Sequence, residues 1–284
     1  MSDGFMHFHD LPFEQLERFP NAIEDMHCGR FEGLIIRGVY SRDAAEALAR
    51  QIESGASPIE RMPWPTQESE PAASIYGRPL MIESNESRYF ASAARFREGC
   101  RTLFTGLPDF EERMVSVFER LSGGRRVRVP TTSAGESYTP ATIRVLPPTR
   151  DIGLHVGNDF IRYPQARQLA AYADISCQLS YFVTLRGADA GGELLVYSVQ
   201  WSDVENARLQ RSGASPGYGD LALARSLLPD SQKVSFKPES GDLLMFDGGR
   251  YYHCITPVEG TRNRVTIGGF LVFSADHRAI YYWS

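Results

Sequence analysis

Cysteine is scarce and scattered in this chain. Its four cysteines, Cys28, Cys100, Cys177 and Cys254, form no CxxC pair, which argues against a structural zinc site and against a disulfide framework. No apolar stretch approaches the roughly 18 to 20 residues that a membrane helix needs. The first residues also lack the basic and apolar regions of a signal peptide. We therefore expect a soluble protein of the reducing cytoplasm, with no membrane partner.

An excess of positive charge is missing as well. The chain has 30 Lys and Arg residues against 35 Asp and Glu residues, which gives a formal net charge of −5 at pH 7. Such a balance does not suggest a phosphate-binding surface, so nucleic acid is not an expected partner. With 284 residues and a hydrophobic fraction of 42%, the chain can bury a substantial core. Composition therefore favours an enzyme or a binder of small molecules.

Amphipathic helices are predicted in the first part of the chain, residues 1–125. Apolar residues recur at helical spacing at about 86–104 and 108–121. A short β-rich run at 33–40 leads to Ser41, which is suited to be the N-cap of a further helix. This part is therefore expected to be mostly helical.

The rest of the chain, residues 126–284, has the character of a β-protein, because short β-rich runs alternate with Gly, Pro and Asp turns. The predicted strands are 126–130, 142–147, 177–185, 193–197, 233–237, 243–246 and 264–274. Many short strands after a helical part favour an α+β fold, mainly β with flanking helices, in which the sheet is a curled antiparallel double layer. We expect one domain over 1–284, with an insertion at about 202–232 whose length is typical of a lid or a binding loop.

Two histidines, His155 and His253, are candidate metal ligands. Neutral imidazole is a good ligand for Fe(II), and we expect the pair at two separate strand ends, across the mouth of a barrel. Taken alone, either histidine is more simply an ordinary polar side chain of a β-protein. Two imidazoles and one carboxylate form the open facial site of non-haem Fe(II) enzymes. Two residues after His155, however, the chain has Gly157 and no carboxylate.

Several motifs surround the histidine pair in a fixed order. Residues 191–193 (Gly-Gly-Glu) lie between the two histidines, residues 241–247 (GDLLMFD) precede His253, and residues 264–266 (Arg-Val-Thr) follow it. Over about residues 142–274, this ordered set resembles the Fe(II)/2-oxoglutarate-dependent oxygenase superfamily. The resemblance implies a double-stranded β-helix, the cupin-like jelly roll, that uses Fe(II), 2-oxoglutarate and O2.

The resemblance also implies a role for each motif residue. His155 and His253 would bind iron. Arg264 would form a bidentate ion pair with the distal carboxylate of 2-oxoglutarate, because a planar guanidinium matches a carboxylate. Thr266 lies two residues further along the same strand, so it shares a face with Arg264 and can donate its hydroxyl to that carboxylate.

Three explanations of Gly157 remain open. The third ligand could have moved to Asp159 or Glu193, which would make the protein a 2-oxoglutarate-dependent hydroxylase. The protein could instead have lost its chemistry and be a non-catalytic, cupin-like binding protein, although the intact histidine pair and the Arg-x-Thr pattern argue against decay. In the third explanation the open position is functional, because a chloride ion fills it and restores the missing negative charge.

The His-x-Gly pattern favours the third explanation. It resembles the 2-oxoglutarate-dependent aliphatic halogenases that act on free-standing small molecules, notably the indole-alkaloid halogenases of the welwitindolinone and ambiguine type. The resemblance implies radical halogenation of an unactivated carbon, with chloride as a cofactor and a halide site at Gly157 and Asn158. The sequence shows no docking feature for a carrier protein, so we expect a free small-molecule substrate. It leaves the oligomeric state open.

Three further residues are candidates for the same site. Hydrogen bonds near the iron would decide between transfer of chlorine and of hydroxyl, and Ser180 is a candidate donor that would act beside Gly157 in catalysis. Phe160 and Tyr181 are candidate substrate walls, although an aromatic residue at such a position is more often part of the core.

Overall fold

Two β-sheets face each other in the computed structural model, which describes residues 5–64, 72–210 and 220–284. The strands, in chain order, are β1 (Phe8–Pro12), β2 (Gly33–Arg37), β3 (Arg61–Pro63), β4 (Ser74–Tyr76), β5 (Arg126–Arg128), β6 (Thr142–Leu146), β7 (Ile152–His155), β8 (Ala173–Arg186), β9 (Ala190–Gly191), β10 (Leu194–Gln200), β11 (Lys233–Phe236), β12 (Leu243–Phe246), β13 (Tyr251–Ile255), β14 (Val258–Glu259), β15 (Arg264–Ser274) and β16 (Ala279–Trp283). The α-helices are α1 (Ala22–His27), α2 (Arg42–Glu53), α3 (Glu86–Leu103), α4 (Phe110–Arg120), α5 (Ala166–Ala170), α6 (Trp201–Gln210) and α7 (Leu221–Leu227). Short 3-10 helices span Phe13–Arg18, Leu80–Ile82 and Gly157–Arg162.

The chain alternates between the two sheets. The larger sheet has the strand order β1-β2-β12-β8-β15-β6-β4-β3, with β16 beside β15 and β5 beside β16. The smaller sheet has the order β11-β10-β13-β7. Strands β6, β8, β12 and β15 thus lie in the larger sheet, whereas β7, β10 and β13, which come between them in the sequence, lie in the smaller one. This antiparallel alternation is the predicted double-stranded β-helix.

Each central strand of the larger sheet has one apolar face and one mixed face, because side chains alternate along a strand. On β8, Tyr181 and Val183 belong to the main hydrophobic core under the helices, whereas Ser180 and Thr184 point to the space between the sheets. Apolar side chains fill most of that space, among them Leu146, Val196, Leu244, Phe246 and Ile255. Full burial of one such side chain stabilises the fold by about 1.5–3 kcal/mol. Polar residues on this inner face do not provide that stabilisation, so they are candidates for a functional role.

The helices predicted in the first part of the chain are confirmed. Helices α3 and α4 cover the two amphipathic segments, and the Ser41 hydroxyl accepts a hydrogen bond of 3.3 Å from the backbone N–H of Ala44 at the start of α2. Strand β2 covers the predicted β-rich run, but β1, β3 and β4 were not indicated by the sequence. None of the described helices is long and apolar enough to span a membrane.

The predicted strands agree best with the observed ones where apolar residues dominate. The strands predicted at 243–246 and 264–274 have the bounds of β12 and β15. Strand ends were expected at the two histidines, but the bounds of β7 and β13, which carry them, were not predicted. Both strands are short, and they pair with each other in the smaller sheet.

The insertion predicted at 202–232 contains α7 and most of α6, and its residues 211–219 lie outside the described residues. Val204 of α6 and Leu223 of α7 pack with Tyr252 on the outer face of the smaller sheet. The described part of the insertion therefore lies against the back of the sheet that carries the histidines.

The GDLLMFD motif is explained by the fold. Gly241 has a φ of +96°, and a Cβ atom there would lie 2.1 Å from the carbonyl oxygen of Tyr40. Asp242 is buried, accepts a hydrogen bond of 3.0 Å from the N–H of Gly38, and forms an ion pair of 2.6 Å with Arg37. These contacts join the end of β2 to the start of β12, so the first half of the motif has a structural role.

Candidate active site

The two candidate ligands, His155 and His253, face each other across two neighbouring strands. They are direct cross-strand partners on β7 and β13, and their ring centroids are 4.1 Å apart. His155 is the last residue of β7, as the prediction of a strand end requires. For His253 that prediction is wrong, because it is the middle residue of β13. The two rings are close because the register between β7 and β13 makes the two histidines direct partners.

Both imidazoles are oriented by the same backbone contact. Nδ1 of His155 lies 2.8 Å from the carbonyl oxygen of Gly153, and Nδ1 of His253 lies 2.8 Å from that of Tyr251. Because a carbonyl oxygen can only accept, each Nδ1 carries the proton and each Nε2 keeps its lone pair. Burial lowers the pKa of His155 to about 4 and that of His253 well below its usual value. Both rings are therefore neutral at pH 7, the state in which imidazole binds a metal.

No displaced carboxylate completes this pair. The Asp159 carboxylate accepts a hydrogen bond of 3.1 Å from the indole N–H of Trp201. The Glu193 carboxylate accepts one of 2.8 Å from the hydroxyl of Thr256. In residues 5–64, 72–210 and 220–284, no three His, Cys, Asp or Glu side chains are grouped to hold a metal ion. The structure therefore does not support the first explanation of Gly157, a relocated ligand.

Gly157 and Asn158 lie against a turn of two glycines, Gly248 and Gly249, which we call the glycine turn. The N–H of Gly157 donates to the Gly248 carbonyl (2.7 Å), and the N–H of Asn158 donates to the Gly249 carbonyl (3.2 Å). Gln178 of β8 connects the two segments. Its N–H donates to Asn158 Oδ1 (3.2 Å) and its Nε2 donates to the Gly157 carbonyl (3.0 Å), whereas its own carbonyl accepts from the N–H of Gly249 (2.7 Å). The side-chain oxygen of Asn158 is thus already engaged within the protein.

The glycine turn also defines the space beside Gly157. A Cβ atom at position 157 would lie 3.1 Å from the Gly248 carbonyl oxygen and 3.2 Å from Gly249 Cα. Backbone atoms must move by a few tenths of an ångström to accept any side chain there. The space directly beside Gly157 is therefore narrow.

Ser180 meets the same turn from the larger sheet. A Cβ atom at Gly248 would lie 2.3 Å from the Ser180 hydroxyl, so glycine is required for this close approach. The structure thus brings Ser180, Gly157 and Asn158 together around the glycine turn, as the sequence predicted for a common site.

The two predicted substrate walls lie elsewhere. The prediction for Tyr181 is wrong, because Tyr181 follows Ser180 on an extended strand and so points to the opposite face. Its hydroxyl donates to the Pro140 carbonyl (2.7 Å) in the core under the helices. Phe160 is 2% exposed and packs against Trp283 with a ring-centroid distance of 4.8 Å. Its position is that of a core residue.

Arg264 and Thr266 form the other end of the site. Arg264 is 5% exposed, its guanidinium lies over the ring of Phe182 (5.1 Å to the centroid), and burial lowers its pKa to about 10. No carboxylate of the described residues influences its pKa. Thr266 pairs with Thr184, whose buried hydroxyl has no hydrogen-bond partner in the part of the chain described. A buried guanidinium beside two hydroxyls fits an anionic carboxylate ligand.

Asp247, which precedes the glycine turn, should make the stability of the fold depend on pH. It is fully buried and its carboxylate accepts from the N–H of Arg250 (3.1 Å). Burial raises the pKa of Asp247 to about 6. A carboxyl with a raised pKa favours folding while protonated, so this contribution is complete below about pH 4 and is lost as the pH rises through about 6.

We therefore expect the unfolding free energy of the wild type, relative to Asp247→Asn, to fall by on the order of 3 kcal/mol between pH 4 and pH 7. Chemical denaturation of both proteins across this range measures the difference. A difference that does not depend on pH would contradict the raised pKa.

Sequence reasoning missed the glycine turn, Gln178, Thr184 and Arg144. Arg144 of β6 is the cross-strand partner of Thr266, so its side chain shares the inner face with Arg264. One signal was available, since an arginine within the apolar run 142–147 is as unusual as Arg264 in its own strand. The other residues are ordinary in sequence and become notable only through their contacts.

Comparison with known proteins assigns the chain to a family. Residues 5–284 match the family described as carrier-protein-independent halogenase WelO5. The chain belongs to this family. The family and the fold together confirm the predicted membership of the Fe(II)/2-oxoglutarate oxygenase superfamily. No curated protein sequence matches the chain significantly.

Solved structures support the same fold at low sequence identity. An N-substituted L-amino acid dioxygenase from Burkholderia ambifaria AMMD is 20% identical, with a TM-score of 0.52, over 92% of this chain and 90% of that one. The epimerase SnoN from nogalamycin biosynthesis, in complex with Fe3+, α-ketoglutarate and nogalamycin RO, is 14% identical, with a TM-score of 0.53, over 90% of this chain and 83% of that one. At these identities the likeness concerns the fold alone.

Proposed function

We propose that this protein is a non-haem Fe(II)/2-oxoglutarate-dependent halogenase that chlorinates an aliphatic carbon of a free small molecule. The observation that carries the proposal is the pairing of His155 with His253 while Gly157 takes the place of a third ligand. Membership of a family named for carrier-protein-independent halogenation supports it. So do the hydrogen bonds that engage Asp159 and Glu193 away from the pair.

The histidine pair would hold Fe(II), and the end of the site formed by Arg264 and Thr266, the arginine end, would hold 2-oxoglutarate. His155 and His253 present two neutral Nε2 atoms to Fe(II), and their Nδ1 contacts with backbone carbonyls hold the rings in that orientation. Arg264 and Thr266 would bind the distal carboxylate of 2-oxoglutarate (α-ketoglutarate). Bound together with O2, these cofactors supply the oxidising power to remove a hydrogen atom from an unactivated C–H bond.

The absence of a side chain at Gly157 is the basis for halide binding. Two neutral imidazoles leave the charge of Fe(II) uncompensated on the protein side, and chloride is an anion that can fill the open coordination position. The hydrogen bonds of Gly157 and Asn158 to the glycine turn fix the backbone beside this position. The Ser180 hydroxyl lies at the same turn and would act as a hydrogen-bond donor beside the bound cofactors, a contact that would favour transfer of halogen over transfer of hydroxyl.

The proposed substrate is a free, fairly apolar small molecule. The family description specifies independence from a carrier protein, in accordance with the lack of a docking feature in the sequence. Tyr181 points away from the space between the sheets, and Phe160 packs in the core. Other residues between the sheets would therefore contact the substrate.

A spectroscopic titration tests the proposal without a known substrate. Anaerobic addition of Fe(II) and 2-oxoglutarate to the protein should produce a weak visible charge-transfer band, and chloride or bromide should shift it in a saturable way. A band that does not respond to halide would favour the hydroxylase alternative. Failure to bind Fe(II) at all would favour a non-catalytic cupin-like binding protein.

A further inference from the structure

Arg144 is a second arginine in the space between the sheets. It lies on β6, where Ile143 and Val145 on either side of it belong to the main core on the opposite face. Its cross-strand partners are Thr266 on β15 and Ile75 on β4. Because cross-strand partners share a face, the Arg144 side chain points to the same side as Thr266, which is the side of the candidate active site.

No carboxylate of the described residues influences the pKa of Arg144, which burial lowers. The side chain is partly buried. Two other arginines with little exposed side chain are compensated, since Arg186 forms an ion pair with Glu53 and Arg78 forms one of 3.0 Å with Glu83. A partly buried cation without a counter-charge in the protein is unfavourable, so its position on this face points to an anionic ligand.

The strand register relates Arg144 to the rest of the site. Thr266 lies opposite Arg144, and Arg264 lies opposite Leu146, so the two arginines are diagonal neighbours on one face. Diagonal neighbours have Cα atoms about 7–8 Å apart, which long side chains can bridge. Along β15, Thr266 lies between Arg264 and Phe270, and Phe270 is the cross-strand partner of Ser180 at the glycine turn. Arg144, opposite Thr266, is thus displaced from Arg264 toward the end of the site that holds the glycine turn.

We propose that Arg144 binds the metal-side carboxylate of 2-oxoglutarate, so that Arg144 and Arg264 hold the two ends of the same dicarboxylate. This inference rests on the proposed function, which brings 2-oxoglutarate to this site. Two guanidiniums on one face match two carboxylates in number and charge. A halide ion carries a single charge and would leave the charge balance of this face incomplete.

Each arginine can be tested with a ligand that lacks one carboxylate. The metal-free protein is titrated by calorimetry with 2-oxoglutarate, with 4-oxopentanoate, which keeps only the distal carboxylate, and with 2-oxopentanoate, which keeps only the metal-side one. Arg144→Gln should weaken 2-oxoglutarate and 2-oxopentanoate by roughly 10- to 100-fold and leave 4-oxopentanoate unchanged. Arg264→Gln should weaken 2-oxoglutarate and 4-oxopentanoate and leave 2-oxopentanoate unchanged. Anaerobic titrations with Mn(II) repeat the comparison in the metal-bound protein.

Two controls separate binding from structure. Arg144→Lys keeps the charge and should restore part of the lost affinity. Arg113→Gln removes a partly buried arginine that lies over Phe13 (4.9 Å to the ring centroid), far along the sequence from the site, and should leave all affinities unchanged.

Three results would overturn the inference. Arg144→Gln could bind all three ligands as the wild type does, or could lose affinity for all three equally, which would indicate a structural role. It could also keep 2-oxoglutarate and lose only the chloride response of the charge-transfer band, which would assign Arg144 to the halide. A wild-type protein that binds no 2-oxoglutarate, even with Mn(II), would instead overturn the proposed function itself.

Discussion

Replacing Gly157 with aspartate should abolish chlorination, with a loss of roughly 100-fold or more, and should favour hydroxylation of the same substrate. The new carboxylate would occupy the coordination position next to His155 and supply the negative charge that chloride otherwise provides. Mass spectrometry of product mixtures from parallel reactions with chloride and bromide measures the outcome. The response of the charge-transfer band to halide should disappear together with the chlorinated product.

A matched variant separates the carboxylate from the added bulk. Gly157→Ala brings the same Cβ atom to 3.1 Å from the Gly248 carbonyl oxygen but offers no ligand. It should retain chlorination within about tenfold and lose some thermal stability through this contact. Persistent chlorination in a folded, iron-binding Gly157→Asp protein would contradict the assignment of Gly157 to the halide site.

Removal of either histidine should abolish iron binding. His155→Gln and His253→Gln each leave one imidazole of the pair, so we expect the affinity for Fe(II) to fall by roughly 100-fold or more. The visible band with Fe(II) and 2-oxoglutarate should be lost, and metal analysis after desalting should show the loss directly. Any halogenating activity should disappear with it.

A histidine with an exposed side chain is the control for this experiment. The side chain of His7 is 75% exposed, so His7→Gln should bind iron as the wild type does. If a single-histidine variant kept wild-type affinity for Fe(II), other side chains would have to supply ligands. Asp159 would then be the first candidate ligand, and its hydrogen bond to Trp201 would have to break before it could bind iron.

The chemistry proposed for the site could be predicted from the sequence because it depends on residue type and order. His155, Gly157, His253 and the Arg264-x-Thr266 pattern carry the prediction of a metal, an open position and a carboxylate ligand. The strands at 243–246 and 264–274 were also predictable, because their apolar composition is sufficient to define them.

Only the tertiary structure decided which of these residues meet and which face they share. A shift of one residue moves a side chain to the opposite face of a strand, which is why Ser180 lies at the site and Tyr181 does not. The pairing of His155 with His253, the approach of the glycine turn to Gly157 and the position of Arg144 opposite Thr266 are set by register between strands distant in sequence. Register is a long-range property of the whole double sheet, so local sequence patterns do not contain it.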